Sequence, residues 1–308
     1  MKKTFLPEEF KKKYSKIMGN EKDSFFEYCC KKISKSIWVN SLKINPRLLE
    51  KELKNQNWKL TNLFHENAFA IEGITRPGQS EQFKQGLFNL QEKSSMLPAL
   101  ILAPKKEDLV LDATSAPGNK TLQMACLMQG KGKIIAVEKN VKRFKSLNFN
   151  VKKFGIKNII LKRMDLLDAK KKNLFDKILL DSPCSSEGLV RMKFDALKEW
   201  TPEIVEKKSE LQKKLITKAI ELLKENGELV YSTCSLSPEE NEEVIQHAID
   251  HRKIEVLKIE LKKIKTRKGL EEYNGKKFDS QIKKTIRIYP QDNDSQAFFI
   301  AKLKKIAT

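Results

Sequence analysis

The stretch Leu109-Val110-Leu111-Asp112-Ala113-Thr114-Ser115-Ala116-Pro117-Gly118-Asn119-Lys120-Thr121 passes from an apolar run, through a turn of small residues, into a helical pattern over 120–129. Apolar run, glycine turn and amphipathic segment in that order read as a strand feeding a helix. Four more β-rich runs follow, at 133–137, 158–162, 177–180 and 228–231. Between them lie helical patterns at 141–154, 202–224 and 238–251. Thr201 is placed to N-cap the second of these, with Pro202 at its first helical position. Ser237-Pro238-Glu239-Glu240 reads as a capping box with acids in the first turn. Strands alternating with helices predict an α/β fold, a doubly wound parallel sheet covered on both faces.

The flanks are of a different kind. Apolar runs at 285–289 and 297–303, about a turn containing Pro290, Asp292 and Asn293, predict an antiparallel edge hairpin. Upstream, an opening helix at 7–18, a β-like run at 37–44 and an amphipathic 48–55 predict a small α+β amino-terminal domain. The domain division expected is 1–84 and 85–308. A Lys-rich segment at 261–275 reads as an exposed loop.

At 308 residues and 40% hydrophobic content, the chain is long enough for a real core. No run approaches the roughly 20 apolar residues of a membrane span, and the amino terminus lacks the apolar core of a signal peptide. A cytoplasmic protein with no membrane partner is expected. The formal charge is +21, from 61 Lys and Arg against 40 Asp and Glu, which favours a polyanionic partner, nucleic acid first. The bland alternative is a solvated lysine surface, since only eight of the 61 are arginine. Five cysteines without CxxC spacing read as free thiols in a reducing compartment, with no metal site. Cys29, Cys30 and Cys126 are read as packing residues.

Ligands of open α/β sheets collect beyond the carboxyl ends of the strands. The turn at 112–121 lets backbone approach a ligand, and the helix that follows offers free N–H groups to a carboxylate. It lacks the GxxxxGK[ST] spacing of a P-loop. Glu138 ends the second run, about 20 residues past the glycine turn, where an acid binds ribose hydroxyls. Asp165 follows the third run and suits an adenine amino group. Together these ends fit an adenosine-bearing ligand. The last two strand ends read Leu180-Asp181-Ser182-Pro183-Cys184-Ser185-Ser186 and Val230-Tyr231-Ser232-Thr233-Cys234-Ser235-Leu236. Their thiols lie among Ser, Thr and Pro rather than apolar neighbours, a setting for reactive cysteines.

The segments 112–121, 181–185 and 232–236, in this order, resemble three motifs of the Sun/Nop (Fmu) family of S-adenosylmethionine-dependent RNA cytosine-5 methyltransferases. The likeness runs over 85–305, including Gln91-Glu92-Lys93-Ser94-Ser95-Met96 and Glu239-Glu240-Asn241-Glu242. Residues 1–84 resemble the family's small RNA-binding part. The resemblance implies a Rossmann-like methyltransferase sheet, S-adenosyl-L-methionine as cofactor and RNA as partner. It assigns the nucleophile to Cys234, assistance in product release to Cys184 and a catalytic acid to Asp181. Lys120 is the nearest cation in the first motif, able to favour a thiolate. The cofactor would lie on Thr114, Ser115, Ala116, Pro117, Gly118, Asn119 and Lys120, with Glu138, Arg143, Asp165 and Asp181. Where the family has Cys-Ala-Ala-Pro-Gly-Gly-Lys, this chain has Thr114-Ser115-Ala116-Pro117-Gly118-Asn119-Lys120. Asn119 is expected to keep the turn by tolerating a left-handed conformation.

The expected substrate is tRNA, because the chain is short, with rRNA as the alternative; a monomer is expected. A non-catalytic RNA-binding ribosome-assembly factor with this fold is the competing class. A zinc cytidine deaminase requires Pro-Cys-x-x-Cys and His-x-Glu, which the sequence lacks. DNA as substrate disagrees with nucleophilic use of the Thr-Cys thiol in the RNA family.

Overall fold

The structure, a computed structural model, describes residues 4–193 and 195–307. In chain order its elements begin with α1 (Glu8–Met18), α2 (Lys22–Cys30), β1 (Lys35–Val39), α3 (Pro46–Asn55), β2 (Lys59–Asn62), β3 (Ala68–Glu72), α4 (Glu81–Lys84), β4 (Phe88–Leu90) and α5 (Leu97–Leu102). They continue with β5 (Leu109–Asp112), α6 (Asn119–Leu127), β6 (Lys133–Val137), α7 (Val141–Phe154), β7 (Ile159–Lys162), β8 (Phe175–Asp181), α8 (Pro202–Leu222) and β9 (Leu223–Thr233). The last are α9 (Glu242–His251), β10 (Ile254–Leu257), β11 (Arg267–Lys268), β12 (Glu272–Tyr273), β13 (Lys276–Lys277), β14 (Ile286–Ile288), α10 (Pro290–Asn293) and β15 (Phe298–Lys305). They divide into two units. One comprises Ser34–Asp181 with Lys218–Val230; the other comprises the described residues up to Ile33, Ser182–Thr217 and those from Tyr231 onward.

The first unit holds two sheets. The smaller is antiparallel in the order β2-β3-β1-β4 and buries Ile37, Val39, Trp58, Phe69, Ile71 and Phe88 together with Leu49 and Leu53 of α3. Asn45 caps α3 by accepting from the N–H of Arg47, and Pro46 supplies the first helical φ. The larger sheet runs β9-β8-β5-β6-β7. Strands β5 to β8 pair in parallel, with Asp112 opposite both Ala136 and Leu179. In chain order its strands therefore stand 5-4-1-2-3, and the order reverses between β5 and β8. Strand β6 and helix α7 fall on the expected residues. Asn140 caps α7 by accepting from Arg143, and Gly155 ends it at φ 73°.

In the second unit, Phe10, Tyr14 and Met18 of α1 and Phe25 and Cys29 of α2 pack with Trp200, Leu236 and Tyr289. The antiparallel edge expected near the carboxyl end is present, with Ile286 opposite Ile300 and Ile288 opposite Phe298. Its connection contains the short helix α10 instead of a simple turn. Thr201 caps α8, accepting from the N–H of Ile204 at 3.3 Å. The capping box expected at Ser237 does not form. The Ser237 hydroxyl donates to Glu187 at 2.6 Å and Glu240 turns to Ser185, so 238–251 splits into a single 3-10 turn and α9. Nor is 261–275 simply an exposed loop. It carries β11 and β12, and Arg267 is paired with both Glu21 and Asp292.

Arg287 of β14 and Glu242 of α9 form a bidentate pair whose side chains are both fully buried, at 2.6 and 2.5 Å. Removing one partner strands a charge in the interior, at a cost of about 3–5 kcal/mol. Arg287→Met is therefore expected to lower the unfolding free energy by about that amount, and Arg287→Met/Glu242→Gln to recover most of it in urea titrations; equal loss in both variants would show that the charge is not the cause.

Candidate active site

The residues expected on the cofactor side are built around the reversal of strand order. Thr114 hangs over the end of β5 and donates through Oγ1 to the carbonyl of Asp181, at the end of β8, at 2.8 Å. Ser115 donates to the carbonyls of Asp112 and Val137, which ties the turn to two adjacent strands. Gly118 has φ 109° and heads α6 with no side chain satisfying the first N–H groups. That φ calls for glycine, and a Cβ there would also come within 2.9 Å of Leu147 Cδ1 and displace it. The left-handed residue is Gly118, not Asn119. Asn119 opens the helix; its side chain donates to the carbonyl of Leu90 at 3.1 Å and accepts from Asn89 at 2.7 Å. The departure from the family pattern is thus absorbed by polar contacts with β4 rather than by backbone tolerance.

Glu138 follows β6 and is 5% exposed; one oxygen accepts from the N–H of Asn140 at 2.8 Å. Arg143 pairs with its other oxygen at 3.4 Å and donates to the carbonyl of Ala116 at 2.6 Å. Asp165 sits three residues past β7, where it accepts from the N–H of Leu167 and from Lys139. Burial raises its pKa, but those donors outweigh it and hold the carboxyl below its ordinary value. Lys120 reaches from α6 to Asp181 at 2.6 Å and to Ser95 at 3.0 Å. A buried acid absent from the expected set stands beneath them. Asp112 accepts from Thr121 Oγ1 at 2.5 Å, and burial lifts its pKa to about 6.

The second unit holds the thiols. Cys184 and Cys234, in the loops that follow β8 and β9, have their sulfurs 3.1 Å apart and are not bonded. The loops are drawn together by the N–H of Ser182 on the carbonyl of Ser232 at 2.8 Å. The N–H of Gly188 lies on the carbonyl of Cys234 at 2.6 Å, and a Cβ on Gly188 would come within 2.6 Å of that oxygen. The hydrogen bond with Cys234, then burial, pushes the Cys184 thiol well above its ordinary range. Glu240 accepts from the N–H and hydroxyl of Ser185 and from Gln212, and burial lifts it to about 7. Of the other cysteines, Cys29 and Cys126 are buried, with burial raising them to about 12 and about 11; Cys30, expected to pack, is exposed.

The most heavily used group in this unit was not among the expected residues. The Glu187 carboxylate accepts from Tyr14, Trp200, the hydroxyls of Ser235 and Ser237 and the N–H groups of Leu236 and Ser237. Burial pushes its pKa up, but Lys13 and these donors hold it below the usual carboxylate value. Its signal in the sequence was an acid placed three residues after Cys184 in a loop of small residues.

A family model described as 16S rRNA methyltransferase RsmB/F matches residues 99–304, and one for the N-terminal domain of 16S rRNA methyltransferase RsmF matches 6–93. The chain belongs to the RsmB/F methyltransferase family. A relative named tRNA (cytosine(49)-C(5))-methyltransferase, from Pyrococcus abyssi, is 38% identical over 97% of this chain and 98% of its own length. Ribosomal RNA small subunit methyltransferase F of Vibrio atlanticus is 36% identical over 99% of this chain, which spans 65% of that protein. Among solved structures, a methyltransferase homolog protein from Pyrococcus horikoshii superimposes with TM-score 0.85 at 33% identity, covering 98% of this chain and 96% of that one.

The family uses S-adenosylmethionine, and the residues present fit it. An uncapped helix N-terminus at Gly118 suits its carboxylate, and the buried Glu138 suits a ribose diol. Asp112 has a testable consequence. Its folded pKa, about 6, lies above the ordinary 3.8, so the stability associated with its protonated form is present below pH 3.8 and lost as pH rises to about 6. Asp112→Asn is expected to gain on the parent protein across that interval and hold a constant lead above it, read as urea midpoints against pH. A difference that stays level throughout would count against the buried acid.

Proposed function

We propose that the protein methylates carbon 5 of a cytosine in RNA, with S-adenosylmethionine as donor, tRNA as preferred substrate and Cys234 as covalent nucleophile. The observation that carries this is the pair of unbonded thiols 3.1 Å apart at the ends of two strand-following loops. Carbon 5 of cytosine is a weak nucleophile. The Cys234 thiolate adds to carbon 6, forming an S–C bond and moving electron density to carbon 5. Bound on 114–120, Glu138 and Asp165, S-adenosylmethionine supplies an electrophilic methyl group. Asp181, held by Lys120, accepts from the exocyclic amine and passes a proton from solvent to the ring nitrogen as the enamine forms. Solvent water takes the carbon 5 proton, the electron pair left behind re-forms the 5,6 double bond, and Cys234 is expelled as a thiolate with its S–C bond broken. Cys184 keeps its own proton at neutral pH because its pKa is raised, and assists this release.

The preference for tRNA is supported by the relative matched from end to end, which is named for tRNA; the one named for rRNA is matched over 65% of its length. On this reading residues 1–84 contribute RNA contacts, 85–308 form the catalytic domain, and the protein works in the cytoplasm as a monomer. The target base must leave its stack, at a cost of a few kcal/mol that contacts to the flanking backbone offset.

Cys234→Ala is expected to abolish methyl transfer, while Cys184→Ala is expected to accumulate a protein–RNA adduct that survives denaturing electrophoresis. An adduct formed by the Cys234→Ala variant would overturn the assignment. Bisulfite sequencing of RNA from cells with and without the gene identifies the cytosine.

A further inference from the structure

Residues 139–164 hold nine lysines and arginines and no acid, although 40 of the 308 residues are Asp or Glu. The run is bounded by Glu138 and Asp165, and its centre is α7. The other solvent-facing helices mix their charges: α1 pairs Lys11 with Glu8, α3 pairs Lys54 with Glu50, and α8 pairs Lys213 with Glu210. On α7, Lys142, Lys145, Phe149 and Lys152 are all exposed, at spacings of three, four and three residues, which places them in one stripe along the helix. None of these three lysines is ion-paired among the described residues. Phe149 is 66% exposed, the largest fraction among the exposed large apolar side chains, and Val141, 47% exposed, extends the stripe. Leu147, Val151 and Phe154, on the opposite side, are buried.

Lysines in a row with an aromatic ring between them match what a single-stranded or looped nucleic acid requires: cations for the phosphates and a flat apolar face for a base. The stripe spans ~15 Å at 1.5 Å per residue, room for more than one nucleotide. Protein interfaces cover aromatic rings too but are depleted in lysine, whereas a nucleic acid uses both in one alternation of phosphate and base. We propose that the outer face of α7 is an RNA-binding surface, with Lys142, Lys145 and Lys152 on the phosphates and Phe149 stacked on a base outside the target cytosine. This rests on the methyltransferase reading of the protein.

Fluorescence anisotropy with an unmodified tRNA transcript tests it, using the full chain. Lys142→Glu/Lys145→Glu/Lys152→Glu is expected to weaken binding by at least tenfold and to flatten the slope of log affinity against log salt by about three, one for each lysine. Phe149→Ala is expected to weaken binding by about tenfold with the salt slope unchanged. The charge-matched control, Lys170→Glu/Lys171→Glu/Lys172→Glu, alters three exposed lysines elsewhere in the same unit and is expected to bind within twofold of the parent. Unchanged affinity in the α7 triple variant, or an equal loss in the two triple variants, overturns the proposal. Failure of the methyltransferase reading is distinguishable, because the parent protein would then place no methyl group in RNA whatever the variants bind.

Discussion

Burying the Glu187 carboxylate would cost several kcal/mol if its lone pairs went unmet, and the second unit is arranged so that they do not. The donors come from α1, from the segment before α8 and from the backbone just after Cys234. A carboxylate that accepts from successive residues of a loop leaves that loop few conformations. Leu236 and Ser237 cannot move without withdrawing three donors from a buried charge, and Gly188, the next residue after Glu187, fixes the carbonyl of Cys234 itself. The loop bearing Cys234 is therefore held from two consecutive positions of the loop bearing the other thiol. The aromatic cluster of Phe10, Tyr14, Phe25 and Trp200 encloses the carboxylate, which keeps water from competing for its donors.

Charge is handled differently at the surface and around Lys120. Pairs such as Lys11–Glu8, both well exposed, contribute at most about 1 kcal/mol, and nothing in the fold depends on them. Lys120 and Asp181 are only 10% and 32% exposed, so each determines where the other points. Asp112 lies below, is fully enclosed and is pushed towards neutrality by burial, with Asp181 adding to the push. The charge of Lys120 opposes that push, but its direct ion pair is with Asp181, and it is Asp181 that it orients.

Periodicity made the parallel sheet legible. Strands β5 to β8 are apolar runs closed by polar or small residues, and the elements between them carry helical spacing with caps at Asn140 and Thr201. The thiols and Asp181 were legible because they stand where strands end. What could not be read was anything decided by a partner distant in sequence. Ser237 followed by Glu240 is a sound capping box until Glu187, 50 residues away, offers the serine hydroxyl a buried acceptor. Strand β2, with mostly exposed residues, has no periodicity of its own and exists because β3 pairs with it. Asn119 looked like a residue excused by backbone tolerance; its side chain is instead engaged by β4, a strand too short to read.

Helix α7 joins these two kinds of constraint. Its inner side supports the turn at 114–118: Arg143 holds the carbonyl of Ala116, Asn150 holds that of Pro117 at 2.9 Å, and Leu147 fills the space a side chain on Gly118 would need. Those contacts settle the identities of its inward residues, and solubility alone would be satisfied by any polar mixture outside. An outer face whose only charges are basic, with a phenylalanine 66% exposed among them, has no origin in the packing of the helix. The binding surface proposed above gives such a face a physical reason, because a phenylalanine at 66% exposure keeps apolar surface in water that any lysine, serine or glutamate in its place would remove.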